Sequence, residues 1–358
     1  MTSPTGTATP TLDLLARPSG GFAMVAMDQR ESLRQMYAAA TGRRVDDAVL
    51  TAFKLAVARE LGPHASGFLI DQDHGFHRVA AEGLVTGGGL IVAADALRQE
   101  PDGPVEDTAL DDRVDLDAAR AAGAVAAKLL LIWRDDEERD RRLEIAAEFV
   151  RRCAAAGLLS VLEGVARPAA GQDDAFDGPA AIREAAAELA GLRPSLYKAQ
   201  VPLGGAAPEE RLVEECARLD AVIPVPWVVL SQGVERDDFP AAVRAACRAG
   251  ASGMLAGRAV WSDLVGTGAG GPGMAGGAGM GGGAGIGDGL GIGGGAGIGD
   301  GRGGPGIGGG PGTGGGAGAG GGPGGGDELG AALRERAVPR LRRLAAVVDE
   351  YAHPWSAR

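Results

Sequence analysis

Cysteine is scarce in this chain of 358 residues, which contains only Cys153, Cys216 and Cys247. They lie in Ala- and Arg-rich sequence with no paired spacing, so the pattern predicts reduced thiols in a cytoplasm and not a disulfide framework. The sequence has no run of about 18 apolar residues, which argues against a membrane-spanning helix. Residues 1–15 are Thr- and Pro-rich without a signal-peptide pattern, and we expect them to form a flexible N-terminus. The sequence therefore predicts a cytoplasmic protein with no membrane partner.

Basic residues are also in deficit, with 35 Lys and Arg against 47 Asp and Glu and a formal net charge of −12. This balance argues against nucleic-acid binding, which needs an excess of positive charge, and favours a small anionic molecule as the ligand. The hydrophobic fraction of 45% suffices for a large core. Length alone allows either two domains or one α/β barrel.

Eight short apolar runs follow Gly20, and helical patterns separate most of them. The predicted strands are 21–28, 66–71, 89–95, 125–133, 158–165, 195–201, 227–231 and 253–257. The clearest predicted helices are 46–61, 135–156, 178–190, 208–219 and 238–249, each preceded by Asp, Gly or Pro start signals. This alternation favours parallel strands with right-handed crossovers, and eight repeats predict a closed (β/α)8 TIM barrel. A doubly wound open sheet has the same alternation and is the alternative.

Residues 266–326 are almost pure glycine with alanine and proline. They show no collagen period and offer few side chains to bury, so this composition predicts a disordered insertion. Its chance Gly-x-Gly-x-x-Gly matches follow no strand and do not indicate a dinucleotide cofactor. A final helix is expected from Asp327 to about Ala352. We therefore predict a single barrel domain formed by residues 16–265 and 327–352, which the insertion decorates.

The predicted strand Leu196-Tyr-Lys-Ala-Gln-Val-Pro202 has one lysine, Lys198, at its centre. Burial disfavours an ammonium group, so the pKa of such a lysine falls and its free amine becomes a nucleophile toward carbonyl groups. The alternative is a lysine whose aliphatic stem packs while its charged head reaches water.

Other polar residues interrupt or end the remaining strands, and in a barrel they meet at one mouth. Class I aldol cleavage needs an amine that forms a Schiff base, a group that moves protons and a phosphate site, with no cofactor or metal ion. Lys198, Glu163 and Arg258 supply one of each. As a neighbouring cation, Lys128 is predicted to lower the pKa of Lys198 further. The alternative for Lys128 is a salt bridge to Glu163 inside the barrel.

The phosphate site is predicted where the seventh and eighth strands end, at Ser231, Gly233, Gly257 and Arg258. Glycines let the backbone approach an anion closely, and an arginine adds a bidentate contact. In barrel enzymes, phosphate is frequently held by the loops after these two strands.

Several of these segments resemble one known family. They are Gly20-Gly-Phe-Ala-Met-Val-Ala-Met-Asp-Gln-Arg-Glu31, Ala127-Lys-Leu-Leu-Leu-Ile-Trp133, Leu196-Tyr-Lys198, Pro226-Trp-Val-Val-Leu-Ser231 and Ala249-Gly-Ala-Ser-Gly-Met-Leu-Ala-Gly-Arg-Ala-Val-Trp261. The chain resembles the sulfofructosephosphate aldolases, which belong with the tagatose-1,6-bisphosphate aldolases among the class I barrel aldolases. The resemblance covers essentially residues 16–266 and the last helix. It implies a homo-oligomer that cleaves 6-deoxy-6-sulfofructose 1-phosphate to dihydroxyacetone phosphate and sulfolactaldehyde in sulfoquinovose degradation. The alternative substrate is tagatose 1,6-bisphosphate or a related ketose bisphosphate.

The resemblance also implies roles for individual residues. Lys198 matches the Schiff-base lysine, Glu163 the proton-transfer carboxylate and Lys128 an auxiliary lysine. Asp28 would orient substrate hydroxyls or steer protons, while Ser231, Gly233, Gly257 and Arg258 would hold the phosphate.

For the opposite, anionic end of the substrate we predict Gln29, Arg30 and Gln72. The alternative is that Arg30 forms a surface ion pair with Glu31. Relatives usually carry glutamate where this chain has Gln200, which leaves more of the proton transfer to Glu163.

Two other classes of function compete with the aldolase. A metal-dependent barrel lyase or hydrolase would use Asp71, Asp73, His74 and His77, because His-x-x-His beside carboxylates can bind a divalent ion. A non-catalytic sugar-phosphate sensor would leave Lys198 and Glu163 unexplained.

Overall fold

The computed structural model describes residues 10–100, 103–172, 176–268 and 325–357. Most of the predicted disordered insertion, residues 269–324, lies outside the described residues, as do residues 1–9 of the predicted flexible N-terminus. No helix within these four ranges is both long and apolar enough to cross a lipid bilayer.

Eight parallel strands close into a barrel, which confirms the predicted fold and excludes the open sheet. In chain order the strands are β1 (Phe22–Met27), β2 (Gly67–Asp71), β3 (Gly89–Ala93), β4 (Asp95–Gln99), β5 (Val105–Leu110), β6 (Ala124–Trp133), β7 (Leu159–Ala166), β8 (Leu196–Ala199), β9 (Trp227–Val229) and β10 (Gly253–Ala256). All except β4 and β5 belong to the ring, whose order is β1-β10-β9-β8-β7-β6-β3-β2. Each predicted strand has a counterpart in this ring.

Helices cover the outside of the barrel. They are α1 (Glu31–Thr41), α2 (Asp47–Leu61), α3 (Phe76–Ala81), α4 (Leu116–Ala121), α5 (Arg139–Ala156), α6 (Gly178–Gly191), α7 (Glu209–Asp220), α8 (Phe239–Arg248), α9 (Arg258–Trp261), α10 (Gly325–Ala332) and α11 (Val338–Tyr351). Short 3₁₀ turns occur at Leu12–Leu14, Gly62–His64, Pro202–Gly205, Ser262–Leu264 and Trp355–Ala357.

Local sequence explains where several helices begin and why the last one is divided. The Asp46 side chain accepts a hydrogen bond from the Val49 N–H, and Asp177 accepts one from the Ala180 N–H, so each aspartate caps a helix. The predicted final helix is interrupted by a π-helical turn at Leu333–Ala337, and a proline then lies in the first turn of α11. Proline is tolerated there because the first N–H groups of a helix have no partner within it.

The barrel interior follows the two-residue period of its strands. On β1, Phe22, Met24 and Ala26 belong to the apolar cluster inside the ring, while the residues between them belong to the cluster beneath the helices. The same alternation places Ala126, Val161 and Leu196 in the interior cluster. Two positions further along each strand stand the residues that form the floor of the site: Asp28, Lys128, Glu163 and Lys198. An apolar plug therefore fills the barrel beneath a layer of charged side chains.

An antiparallel hairpin of β4 and β5 interrupts the regular alternation. The predicted third strand extended to residue 95, but β3 ends at Ala93 and Asp95 begins β4. Asp95 pairs with Leu110 across the hairpin. The hairpin was not predicted because its strands mix apolar and charged residues without the continuous apolar run of a buried parallel strand.

Candidate active site

A cavity of about 360 Å³ opens where the barrel strands end. Among the residues that line it are seven of the predicted site residues: Asp28, Gln29, Arg30, Lys128, Glu163, Lys198 and Arg258. Four residues that were predicted for the site, Gln72, Ser231, Gly233 and Gly257, do not line it. The lining also contains residues of the hairpin, among them Leu97, Gln99 and Val105, so the hairpin forms one wall of the cavity.

Glu163 joins two buried lysines. Its Oε2 lies 2.9 Å from Lys198 Nζ and 3.1 Å from Lys128 Nζ. Register explains the arrangement, because Glu163 on β7 is the partner of Lys198 on β8, and Lys128 lies on β6 at the other side of β7. The exposed fractions are 4% for Lys198, 6% for Glu163 and 2% for Lys128. Lys198 is therefore almost fully buried at the cavity floor, and the salt bridge given as the alternative for Lys128 is present.

Lys128 contacts two further carboxylates. Its Nζ lies 2.6 Å from Asp28 Oδ2 and 2.9 Å from Asp95 Oδ2. Burial alone would lower the pKa of Lys128, but Asp28, Asp95 and Glu163 together raise this pKa well above its ordinary value. Lys128 is therefore a fixed cation whose charge three carboxylates offset. Lys128 is linked to Lys198 through Glu163, which contacts both lysines.

Asp28 is the anionic counterpart of the two lysines. Burial alone would raise the pKa of its carboxyl group, but Lys128 and Lys198 outweigh this effect and hold the pKa below its usual range. Asp28 is consequently ionised at neutral pH and can accept hydrogen bonds from hydroxyl groups in the cavity.

Arg30 pairs with Asp95 and not with Glu31. Its NH1 donates to the main-chain oxygen of Asp95 at 2.8 Å, and its NH2 lies 3.1 Å from Asp95 Oδ1. Glu31 instead pairs with Arg44 at 2.8 Å. The predicted alternative of an Arg30–Glu31 surface pair is therefore wrong, because the side chain of Arg30 turns toward the barrel mouth and is only 17% exposed.

Of the predicted phosphate residues at the ends of β9 and β10, one lines the cavity and the others do not. Arg258 lines the cavity, and so does Gln232, which was not predicted. Val228 and Leu230 face the barrel interior, so the two-residue period brings Gln232 to that side and turns Ser231 away from it.

The two glycines of this region, Gly233 and Gly257, do not line the cavity. Gly233 has a φ of +76°, which favours glycine. A Cβ on Gly257 would lie 2.5 Å from the Ala26 carbonyl oxygen and 3.0 Å from Gln29 Nε2, so a side chain has no room there.

Gln72 lies outside the cavity, which corrects its predicted place in the anionic end of the site. Its Nε2 donates to the Arg113 carbonyl oxygen at 3.1 Å. The alternation of β2 explains this position, because Phe68 and Ile70 face the helices and Gln72 continues their side of the strand.

The residues of the metal alternative have other partners. The carboxylate of Asp71 pairs with buried Lys54 and lies 2.9 Å from His74 Nδ1, while Asp73 pairs with Arg113 at 3.0 Å. His77 lies against the ring of Phe76. Across the described parts of the chain, no group of three or more His, Cys, Asp or Glu side chains has an arrangement that could hold a metal ion.

Comparison with known proteins decides the family. A model of the DeoC/LacD family aldolases matches residues 22–263, which is more than half of the chain. The chain belongs to the DeoC/LacD aldolase family. It is a class I aldolase, a carbon–carbon lyase.

Relatives of this aldolase include enzymes of defined name. A tagatose 1,6-diphosphate aldolase of Listeria monocytogenes is 30% identical over 286 residues, which cover 70% of this chain and 80% of the relative. Tagatose 1,6-diphosphate aldolase 1 of Enterococcus faecalis is 28% identical over 282 residues, covering 71% and 84%. A fructose-bisphosphate aldolase structure from Plasmodium falciparum superposes with a TM-score of 0.59 at 11% identity, covering 95% of this chain and 93% of that one. At that identity the likeness shows the barrel fold alone.

Arg167 was not predicted from the sequence, and Gln200 has a different position from the one its strand face suggested. Arg167 lines the cavity, and the signal for it is the alternation along β7, since Val161, Glu163 and Val165 share the interior side. Gln200 is engaged with the backbone, because its Oε1 accepts a hydrogen bond from the Ala166 N–H at 2.7 Å. Gln200 therefore ties the end of β8 to the end of β7 and does not line the cavity.

Proposed function

We propose that this aldolase cleaves a six-carbon ketose 1-phosphate through an imine between Lys198 Nζ and the substrate carbonyl carbon, releasing dihydroxyacetone phosphate. The observation that carries the proposal is the buried contact of 2.9 Å between Lys198 Nζ and Glu163 Oε2 inside the cavity. An amine attacks a carbonyl only in its neutral form, so the attacking lysine needs an adjacent group that takes its proton. Glu163 stands at the distance that such a transfer requires.

Glu163 has a second task in the same sequence of steps. Attack by the amine first gives a carbinolamine, whose hydroxyl must leave as water before the iminium ion forms. The proton that Glu163 accepted from Lys198 can be returned to this hydroxyl. Lys128 keeps its own proton because three carboxylates surround it, so it holds Glu163 in place without competing as a nucleophile.

Cleavage then breaks the bond between C3 and C4. The bonding electrons move into the iminium ion and give an enamine, while the C4 hydroxyl loses its proton and becomes the aldehyde. Asp28 and Glu163 are the carboxylates among the described residues that line the cavity, and we assign the acceptance of this proton to one of them. Protonation of the enamine at C3 and hydrolysis of the imine release dihydroxyacetone phosphate and restore Lys198.

The phosphate on C1 is assigned to the ends of β9 and β10. Arg258 lines the cavity there and can make a bidentate contact. Gly233 and Gly257, which are adjacent in sequence to Gln232 and Arg258, do not line the cavity and are proposed to let the backbone approach the anion. Ser231 turns away from the interior, and Gln232 takes its place as the side-chain donor in this part of the wall.

The second anion, on C6, is assigned to the other side of the mouth. Although Arg30 follows β1, its guanidinium group extends to Asp95 at the start of the hairpin. Arg167, after β7, also lines the cavity, and we assign it to the same end as Arg30. Gln29 is the neutral donor beside Arg30.

Two substrates fit this arrangement. The named relatives support tagatose 1,6-bisphosphate or a similar ketose bisphosphate. The second candidate is 6-deoxy-6-sulfofructose 1-phosphate, because the end assigned to the C6 anion combines Gln29, a neutral donor, with Arg30, whose charge is already offset by Asp95. A sulfonate carries a single negative charge, while a phosphate monoester carries about −1.5 to −2, so neutral donors with one cation suit the sulfonate.

Two measurements test the proposal. Incubation with dihydroxyacetone phosphate followed by borohydride should attach the reduced ligand to Lys198, as located by peptide mass spectrometry, and Lys198→Met should form no adduct. An adduct on another lysine would refute the assignment. Values of kcat/KM for tagatose 1,6-bisphosphate, fructose 1,6-bisphosphate and 6-deoxy-6-sulfofructose 1-phosphate then decide between the candidates, and the highest value identifies the substrate class.

A further inference from the structure

Asp95 is the carboxylate on which two parts of the site converge, although it does not line the cavity. We propose that Asp95 is a positioning residue that fixes Lys128 and Arg30 relative to each other. Through these two residues, Asp95 links Glu163 to the end of the cavity that is assigned to the C6 anion. The proposal rests on the function proposed above for Lys198 and Glu163.

Each acceptor atom of Asp95 has a partner from one of these two parts. Its Oδ2 lies 2.9 Å from Lys128 Nζ and also accepts a hydrogen bond from the Leu130 N–H at 3.0 Å. Its Oδ1 lies 3.1 Å from Arg30 NH2, and its main-chain oxygen accepts a hydrogen bond from Arg30 NH1 at 2.8 Å. The residue is only 1% exposed, so its effect on the substrate must pass through Lys128 and Arg30.

The backbone that carries Asp95 is held independently of its side chain. The Ala94 N–H donates to the Lys128 carbonyl oxygen at 2.8 Å, and the Asp111 N–H donates to the Ala94 carbonyl oxygen at 2.9 Å. Asp95 also pairs with Leu110 in the hairpin. A substitution that keeps the volume of the side chain therefore changes the charge and the hydrogen bonding while the hairpin stays in place.

An asparagine at this position cannot reproduce both contacts. Its amide offers one oxygen and one NH₂ group, while Lys128, the Leu130 N–H and Arg30 are all donors. If the NH₂ group faces Lys128, the contact of the lysine is lost; if it faces Arg30, the contact of the arginine is lost. In both orientations the lost negative charge also leaves Lys128 with two carboxylates, Asp28 and Glu163.

Two kinetic effects are expected in Asp95→Asn. The turnover number kcat should fall by roughly 10- to 100-fold, the factor associated with one charged hydrogen bond, because Lys128 no longer holds Glu163 correctly. The KM for the six-carbon substrate should rise, because Arg30 loses the group that orients it. The concentration of dihydroxyacetone phosphate that gives half-maximal imine formation at Lys198 should not change. The part of the substrate that becomes dihydroxyacetone phosphate is assigned to the Arg258 end of the cavity, away from Arg30.

A double-mutant comparison separates positioning from a structural role. Arg30→Met alone should raise the KM for the six-carbon substrate and leave kcat close to wild type. In the Arg30→Met background, Asp95→Asn should cause no further rise in KM and should still lower kcat. If Asp95 merely stabilised the hairpin, Asp95→Asn would change kcat and KM by the same factors with and without Arg30→Met.

Asp107→Asn is the matched control. Asp107 is a hairpin carboxylate that pairs with Arg141 at 2.7 Å and with Arg98 at 3.5 Å, and it does not line the cavity. Its substitution should leave kcat and KM near the wild-type values. If Asp95→Asn unfolds, Asp95→Glu keeps the charge but moves the carboxylate by one methylene group, and the same two effects are expected.

The outcomes are distinct. Wild-type enzyme that gives no borohydride adduct at Lys198 refutes the proposed function itself. With that adduct present, wild-type kcat and KM in a folded Asp95→Asn enzyme refute the positioning role, as does a KM effect that is undiminished in the Arg30→Met background. A lower kcat together with a KM effect that depends on Arg30 supports it.

Discussion

Replacing Glu163 by glutamine tests the centre of the mechanism with almost no change in volume. The variant removes the anion that lies between the two lysines, at 2.9 Å from Lys198 Nζ and 3.1 Å from Lys128 Nζ. Lys128 keeps two of its three carboxylate partners, Asp28 and Asp95. Lys198 loses its buried carboxylate partner, and the proton acceptor and donor of the carbinolamine steps is gone.

The expected fall in kcat corresponds to the rate contribution of the general acid–base group that the substitution removes. A positioned general acid–base group contributes roughly 10²- to 10⁴-fold to the rate, which corresponds to about 3–5 kcal/mol in the activation free energy. Asp28 can replace only part of this function, because Lys128 and Lys198 hold its pKa low and it is therefore a poor proton acceptor. We therefore expect kcat to fall within that range while the barrel stays folded.

Stopped-flow and borohydride measurements separate the steps. Glu163→Gln should still give an adduct with dihydroxyacetone phosphate at Lys198, because the substitution keeps the nucleophilic amine. The adduct should form slowly, because the carbinolamine loses water slowly without its proton donor. The matched control is Glu188→Gln, which alters a carboxylate on α6 that pairs with Arg139 outside the cavity. A kcat within about threefold of wild type in Glu163→Gln would refute the assignment, since that difference is under 1 kcal/mol.

Three other predictions concern stability and metal dependence. Lys54→Met should lower the free energy of unfolding in urea by roughly 3–5 kcal/mol, because it leaves buried Asp71 without its ammonium partner, whereas Arg59→Met, which breaks an exposed pair with Glu82, should cost less than about 1 kcal/mol. The hydrogen bond to Asp71 raises the pKa of His74 from its ordinary 6.5, so its stabilisation is complete below pH 6.5 and is lost as the pH rises through the folded-state value. His74→Gln should abolish that slope in unfolding free energy, and an unchanged slope would contradict the argument. Activity should survive dialysis against EDTA, since the proposed chemistry uses an amine; loss with recovery on adding zinc would revive the metal alternative.

Periodicity predicted the fold and the floor of the site for the same physical reason. A parallel strand buried on both sides is a continuous apolar run, and eight such runs separated by helices close into a ring. A charged residue inside such a run must face the barrel interior above the plug or pay the cost of burial among the helices. Lys128, Glu163 and Lys198 each interrupt an apolar strand, and all three meet in the structure.

The walls of the site were harder to predict because they lie beyond the strands. The predicted wall residues were chosen because they follow a strand, without the alternation that continues past the last ladder pair. That alternation brings Gln232 and not Ser231 to the cavity, and it turns Gln72 toward Arg113. The hairpin shows no continuous apolar run, so its contribution to the cavity could not be predicted from periodicity.

Asp95 shows most clearly what a linear pattern does not contain. The sequence places it at the end of the third predicted strand, as one aspartate among several that end strands. Its importance comes from two separate stretches that meet it only in the closed ring: β6 brings Lys128 and the backbone N–H of Leu130, and the loop after β1 brings Arg30. Three carboxylates, Asp28, Asp95 and Glu163, thereby face three cations, Lys128, Lys198 and Arg30. Because Asp95, Lys128 and Glu163 share partners, substitutions among these three should have non-additive effects on kcat, whereas the loss of Arg30 should appear in KM.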